Sequence, residues 1–433
     1  MKRILIKELN EKFIGNTVKL QGWIKTVRRL GKITFMMVRD RSGIVQVVYE
    51  GDKVIPLIAE EAAISITGKV IKEKRAPGGI EVHTLKEGIE LLSGVVENLP
   101  FEVKKADQSV NPDKLYNHRA LSLRNQKLYS IFLIQSALMN GFRQFLLQEG
   151  FTEISTPKIV ASGTEGGTEL FSVDYFEQKV YLAQSPQFYK QMMVGAGYER
   201  VFEVGKAYRA EKHDTSRHIN EYVSLDFEMG FIENYQEIMD METRLLSWLL
   251  NHLSLSCSNS FNLLGVSLPT VPEKIPAISV EQARDILKEK FTKQMPASGP
   301  DPAGERLLSK WASEELNSEW LFITGFPSTK RPFYTMFDPL KRNITWSFDL
   351  LFRGIEVTTG GQRIHDYHML TDNMVKFGLN PEDYTSYLDI FKYGMPPHGG
   401  LAIGLERLTM KLCDLSNVRE ASLFPRDRNR LIP

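Results

Sequence analysis

From Thr17 to Trp23 the chain alternates apolar Val18 and Leu20 with polar Lys19 and Gln21, the period of a half-buried strand. Further β-rich runs follow at 33–38, 44–48 and 63–71, and Arg41-Ser42-Gly43 and Ala76-Pro77-Gly78-Gly79 supply turns between them. Past Leu99-Pro100 the residues turn polar. Leu128, Ile131, Phe132, Leu138, Met139, Phe142, Phe145 and Leu146 then recur at three- and four-residue steps, which predicts one amphipathic helix ended by Gly150. Beyond Phe151 strand-like runs, among them 201–204 and 222–231, alternate with helices and suit an antiparallel sheet. Residues 295–300 read as a surface loop within an insertion.

These patterns predict an α+β chain with an N-terminal OB-fold β-barrel at 1–104 and a hinge at 105–125. A second, larger domain follows at 126–433, an antiparallel sheet flanked by helices, with a small insertion around 255–320. Barrels of this type bind single-stranded nucleic acid in many proteins. The chain has 433 residues, 42% of them hydrophobic and 25% charged, which suits two or three globular domains and excludes a disordered or collagen-like protein. No apolar run approaches the ~20 residues needed to cross a bilayer, so a cytoplasmic protein with no membrane partner is expected. Cys257 and Cys413 have no neighbouring thiol, so neither a disulfide framework nor a cysteine zinc site is expected. With 54 basic and 53 acidic residues the net charge is +1, so a polyanionic partner must be met by local patches.

The chain has neither G-x-x-x-x-G-K-[ST] nor G-x-G-x-x-G after a strand, so a bound nucleotide has to be held by arginines and metal. Guanidinium groups suit triphosphate oxygens because they offer paired donors and keep their charge. Candidates stand in Tyr208-Arg209-Ala210-Glu211, in Arg217-His218 and in Gly404-Leu405-Glu406-Arg407. Each alone reads as a surface or ion-pair arginine. Arg407, however, follows three glycines set among apolar residues at 399–405, a pattern that suits a strand-to-helix transition beneath a ligand.

Three segments together carry a resemblance. Gly150-Phe151-Thr152-Glu153-Ile154-Ser155-Thr156-Pro157 is similar to motif 1 of the class II aminoacyl-tRNA synthetases, 208–228 to motif 2, and 400–407 to motif 3. Their order is that of the class, and with the barrel the resemblance covers essentially the whole chain. Within the class the chain resembles the compact aspartyl group of archaea and eukaryotes (subclass IIb), including Phe424-Pro425-Arg426-Asp427-Arg428. The implied activity is ATP-dependent ligation of L-aspartate to tRNA(Asp) through an aspartyl-adenylate, with Mg²⁺ as cofactor and a homodimer built on motif 1.

The resemblance also implies roles. Arg209 bridges the α-phosphate and the substrate carboxylate, Arg407 holds the γ-phosphate, and Arg217 and His218 grip the outer phosphates. Glu211 meets adenine and Tyr222 stacks beneath it, with Ala210, Ile219, Gly404, Leu405 and Glu406 completing the ATP site. Asp349, Glu356 and Thr359 supply hard oxygen donors suited to Mg²⁺. In Gln184-Ser185-Pro186-Gln187-Phe188-Tyr189-Lys190-Gln191, Lys190 meets the side-chain carboxylate of aspartate, aided by Arg363. Asp226 and Gln187 receive its α-ammonium, Thr359 adds a contact, and Glu165 lies in a mobile closing loop at 162–168. On the barrel, Phe35 stacks on the central anticodon base with Arg28 and Gln46 beside it.

Two further readings stay open, an asparagine:tRNA ligase and a tRNA-independent class II paralogue. Lys190 disfavours the first, because a buried ammonium facing a neutral amide lacks its counter-charge. The barrel disfavours the second. The loop at Pro77 resembles that of asparaginyl and relaxed aspartyl enzymes, whereas strict archaeal aspartyl enzymes tend to carry lysine there and tryptophan in place of Lys25. Charging of tRNA(Asn) beside tRNA(Asp) is the implied alternative to strict specificity.

Overall fold

A computed structural model describes residues 1–51, 59–164, 169–212 and 214–433. The chain divides into two compact units, Met1–Lys105 and Ala106–Pro433.

The first unit is a five-stranded barrel of β1 (Thr17–Leu30), β2 (Ile33–Arg39), β3 (Ile44–Glu50), β4 (Ala63–Lys72) and β5 (Ile80–Ser93). Its closed order is β1-β2-β3-β5-β4, and only β3 and β5 run parallel. The alternation at Val18 and Leu20 continues to Ile24, and these side chains meet Met36, Val38, Val45 and Val47 in the interior. At Gly22 a Cβ would stand 2.2 Å from the Arg39 carbonyl oxygen, so only glycine lets β1 approach β2 there. The register shifts between Ile24 and Thr26, after which Arg28 lies directly opposite Phe35.

The second unit is built on an eight-stranded sheet. Its strands are β6 (Thr152–Glu153), β10 (Arg200–Tyr208), β11 (Glu221–Gly230), β12 (Ala277–Ser279), β13 (Trp320–Thr324), β14 (Ser347–Phe352), β15 (Ile355–Arg363) and β16 (His398–Gly404). The order is β12-β13-β14-β15-β16-β11-β10-β6. A small separate sheet has the order β7-β9-β8, from β7 (Ile159–Val160), β8 (Ser172–Tyr175) and β9 (Gln178–Leu182). The predicted amphipathic helix spans Gln126–Gln148. Asn125 caps it by accepting from the Lys127 and Leu128 N–H groups, and Gly150 follows it at φ 81°. Its Ile134, Leu138 and Phe142 join Leu245 and Leu249 of the Gln236–Ser256 helix and Phe202 and Phe227 of the sheet in one core.

Three expectations change. The large sheet is mixed, because β6 pairs parallel to β10 and β12 parallel to β13 at its two edges. Of residues 105–125, polar enough to read as a hinge, all but Lys105 belong to the second unit. Their helices Pro112–Asn117 and Arg119–Ser122 bury Leu115 and Tyr116, and Arg119 donates to the carbonyl oxygens of Glu420, Ser422 and Leu423. The loop at 295–300 is only partly superficial, since Met295 is buried with Leu287, Leu308 and Phe326.

Candidate active site

Period-two alternation gives the large sheet its two faces. On β11, Leu225 and Phe227 enter the core, while Tyr222, Ser224 and Asp226 line a cleft on the other side; on β16, Leu401 and Ile403 enter the core, while Ala402 and Gly404 line the cleft. The cleft encloses about 290 Å³. Arg209, Arg217, Arg331, Arg363 and Arg407 all line it, a concentration of fixed positive charge suited to a polyphosphate.

Arg209 leaves the end of β10 with its guanidinium 5.8 Å from the Tyr222 ring centroid. Arg407 lies in the first turn of the Leu405–Leu412 helix and donates to the Glu356 carbonyl oxygen at 3.2 Å, its Nη1 lying 3.6 Å from the Glu356 carboxylate. His218 contacts the Thr215 hydroxyl through Nδ1 at 2.6 Å, and its Nε2 stands 3.5 Å from Glu211. Ile219 and Glu211 also line the cleft. Glu406 lines it too, but both its carboxylate oxygens accept the Val223 N–H at 3.1 and 3.0 Å, so it fastens β11. Burial pushes Glu406 up to about 7. Ala210 and Leu405 do not line the cleft: the Ala210 N–H donates to the Glu169 carbonyl oxygen, and Leu405 is fully buried in the core.

On β14 Asp349 stands opposite Thr359 of β15, with Glu356 on the same strand as Thr359, and Asp349 lines an adjoining cavity with Glu356 rather than the cleft itself. The Thr359 hydroxyl lies 2.9 Å from Asp349 Oδ1 and 3.0 Å from Glu356 Oε1, so all three oxygen donors converge. Burial pushes Asp349 up to about 6, with Glu356 adding to the push and Arg331 opposing it. Burial also raises Glu356, but Arg407, Arg331, Thr359 and Arg217 outweigh it and hold that carboxyl below the usual range. Two carboxylates and a hydroxyl fit Mg²⁺, which keeps several waters and shares its shell with substrate phosphates. Among the described residues no cluster of three or more His, Cys, Asp or Glu side chains could hold a metal alone.

At the other end four charged side chains share buried space. Lys190 Nζ lies 2.8 Å from Asp226 Oδ1, 3.2 Å from the Leu401 carbonyl oxygen and 3.4 Å from Glu228 Oε2. Arg363 donates to Glu228 at 2.9 Å, to Gly400 O at 3.0 Å and to Gln187 at 3.4 Å. Burial raises Glu228, but Arg363 and Lys190 outweigh it and lower its pKa. His398 adds no charge at neutral pH, because burial pulls it down to about 4. Gln187, Asp226 and Arg363 line the cleft, whereas Lys190 lies behind them with no exposed surface. Phe188 is stacked on Tyr387 in a separate core, and Tyr189 does not line the cleft either. Glu165 lies outside the described residues.

Residues 111–428 match the family described as class II tRNA synthetases (D, K and N), and residues 18–90 match the OB-fold nucleic acid binding domain. The chain belongs to this synthetase family. It is 47% identical to the aspartate–tRNA(Asp/Asn) ligase of Deinococcus radiodurans, covering 100% of this chain and 99% of that one. It is 41% identical to the aspartate–tRNA(Asp) ligase of Pyrococcus abyssi, covering 98% of each. The solved asparaginyl-tRNA synthetase of Pyrococcus horikoshii with asparaginyl-adenylate superposes at TM-score 0.93, with 31% identity and full coverage of both chains.

In the synthetase's barrel unit, Arg28, Phe35 and Gln46 occupy one outward face. Met36, Val38, Val45 and Val47 point inward between them, and Arg28 pairs directly with Phe35 in the β1–β2 register. Gln46 Nε2 donates to Glu81 on β5 at 2.7 Å. Pro77 begins an exposed single turn, Pro77–Gly79, that joins β4 to β5 with Gly78 and Gly79 at φ 76° and 74°.

Two features of the site carry no sequence period. Arg331 pairs with Asp349 at 2.7 Å and lies 3.8 Å over the Phe326 ring, while Glu305 of the insertion binds Arg217. The segment 417–430 also walls the loop between β10 and β11. The Val418 N–H donates to Ser216 O, Arg419 pairs with Asp214, and the Asn220 N–H donates to Arg426 O. Among the described residues no helix is long and apolar enough to cross a membrane.

Proposed function

We propose that the synthetase activates L-aspartate with ATP and transfers it to both tRNA(Asp) and tRNA(Asn), acting as a cytoplasmic homodimer. The enzyme is an aspartate–tRNA ligase. In its first step a carboxylate oxygen of aspartate bonds to the α-phosphorus, the bridging P–O bond breaks and pyrophosphate leaves, so positioning and charge neutralisation do most of the work. Arg209 spans the α-phosphate and the reacting carboxylate, with Tyr222 stacked under adenine and Glu211 at its edge. Arg407, Arg217 and His218 take the outer phosphates. Asp349, Glu356 and Thr359 would hold Mg²⁺, which supplies further neutralisation of phosphate charge.

The charge balance of the buried tetrad favours aspartate. Lys190 and Arg363 offset Asp226 and Glu228, and Asp226 Oδ2 is buried without a hydrogen-bond partner among the described residues. When that oxygen and Gln187 receive the α-ammonium, the side-chain carboxylate brings the matching negative charge to Arg363 at the cleft wall, with Lys190 acting from behind through its charge alone. An asparagine amide brings none and leaves one excess cation buried, at a cost of several kcal/mol.

The observation that carries the tRNA reading is the Pro77-Gly78-Gly79 turn. It offers no side-chain donor and, at Pro77, no N–H to the base next to the one that Phe35 and Gln46 would hold. The Deinococcus radiodurans relative is named for both tRNAs, in support of this reading. Charging assays with purified tRNA(Asp) and tRNA(Asn) test it. Both should be aspartylated, and Pro77→Lys should selectively reduce charging of tRNA(Asn). Equal weakening of both, or no charging of tRNA(Asn) by the unmodified enzyme, would make the turn structural. The dimer is supported by Tyr129, Leu133 and Leu147, exposed along the Gln126–Gln148 helix. Sedimentation at the mass of a single chain at micromolar protein would count against it.

A further inference from the structure

We infer that Glu305, in the first turn of the insertion helix Pro302–Glu315, is a positioning residue for ATP that acts through Arg217; the inference rests on the assignment of Arg217 to the outer phosphates. Asp301 caps that helix by accepting the Gly304 N–H at 2.7 Å, which fixes the turn that carries Glu305. Glu305 is itself buried, and it meets Arg217 with both oxygens: Nη1 lies 2.9 Å from Oε2 and Nη2 3.1 Å from Oε1. A carboxylate seated end-on in this way uses the two terminal nitrogens and holds the guanidinium plane in one orientation. Nε remains. It is buried and has no hydrogen-bond partner among the described residues, on a side chain that lines the cleft. An unmet buried donor is costly, and here it stands where a phosphate oxygen would satisfy it.

Glu305 has a second attachment. Its Oε2 accepts the Glu356 N–H at 3.1 Å, so one carboxylate ties the phosphate arginine to the strand that bears the metal carboxylate. The insertion therefore sets the distance between the arginine of the β10–β11 loop and the Mg²⁺ ligands on β15. Without Glu305, Arg217 keeps its charge but loses its fixed direction, and the triphosphate must order it on binding.

Equilibrium ATP binding with Mg²⁺, followed by intrinsic fluorescence or calorimetry, tests this in Glu305→Gln, Arg217→Ala and the double variant, alongside aspartate-dependent pyrophosphate exchange. Glutamine keeps an acceptor for the Glu356 N–H but turns an N–H₂ toward Arg217. Glu305→Gln should weaken ATP binding by about tenfold, the loss of one charge-assisted hydrogen bond. It should leave the KM for aspartate unchanged, and in the Arg217→Ala background it should have no further effect on ATP. Glu305→Asp should recover part of the affinity. Tighter ATP binding by Glu305→Gln would show that the carboxylate competes with phosphate, and a full-sized effect without Arg217 would show a merely structural role; either overturns the inference. Loss of ATP affinity in Glu305→Gln with no exchange by the unmodified enzyme would refute the ligase assignment and leave the positioning role standing.

Discussion

Lys190 and Asp226 form a 2.8 Å ion pair from which solvent is excluded on both sides. Lys190→Leu should abolish aspartate-dependent pyrophosphate exchange while ATP still binds, since the phosphate arginines are untouched. It should also lower stability by about 3–5 kcal/mol, because Asp226 and Glu228 would keep only Arg363. Denaturant melts and ATP titration measure the two effects separately, and normal exchange would refute the substrate assignment.

Glu242 sits behind β15 with no exposed surface, and burial pushes it up to about 8 against the nearby Thr358 hydroxyl. A carboxyl raised in the native state holds its proton there after the unfolded chain has released it. Its stabilising contribution is complete below the ordinary carboxyl range and disappears as pH climbs from about 4.5 to about 8. Glu242→Gln keeps the shape and removes the titration. Thermal melts should show the variant matching the parent near pH 5 and exceeding it at pH 8.5; parallel pH curves would contradict this.

Removing one metal oxygen should appear as a metal requirement. Glu356→Gln should raise the Mg²⁺ concentration for half-maximal pyrophosphate exchange by at least about tenfold. A variant with the parent's Mg²⁺ curve would place the ion elsewhere.

Phe35→Ala should cost about 1–3 kcal/mol of tRNA binding and leave tRNA-independent adenylate formation nearly intact, since Phe35 belongs to the barrel unit and the cleft to the other. Filter binding and pyrophosphate exchange together decide it. A parallel loss in exchange would mean that the variant has damaged more than a stacking platform.

The period-two runs from Val18 and through Leu225 were legible because one face of each strand is apolar and the other is not. The edges of the large sheet were not, since β6 and β12 are two and three residues long and take their direction from distant partners. At the site, Arg209, Glu356 and Arg407 stand in recognisable segments. Glu305 does not: it lies 88 positions from Arg217, inside a helix whose pattern reports only its own packing. Lys190 was legible as a cation near the substrate, but its depth was not, because it depends on Asp226 and Glu228 arriving on β11 from beneath. The polar run at 105–125 concealed Arg119, which is buried only because three carbonyl groups later in the chain receive it.

The wall that residues 417–430 build against the β10–β11 loop has a temporal side. A ribosome makes Thr215 first and Arg419 some 204 positions later, so the loop that carries Arg217 and His218 gains this last part of its support long after Glu305 and Arg407 have been made. A chain stopping short of Val418 would have Glu305 to orient the Arg217 side chain but would lack the contacts by which Val418, Arg419 and Arg426 brace the loop backbone around it.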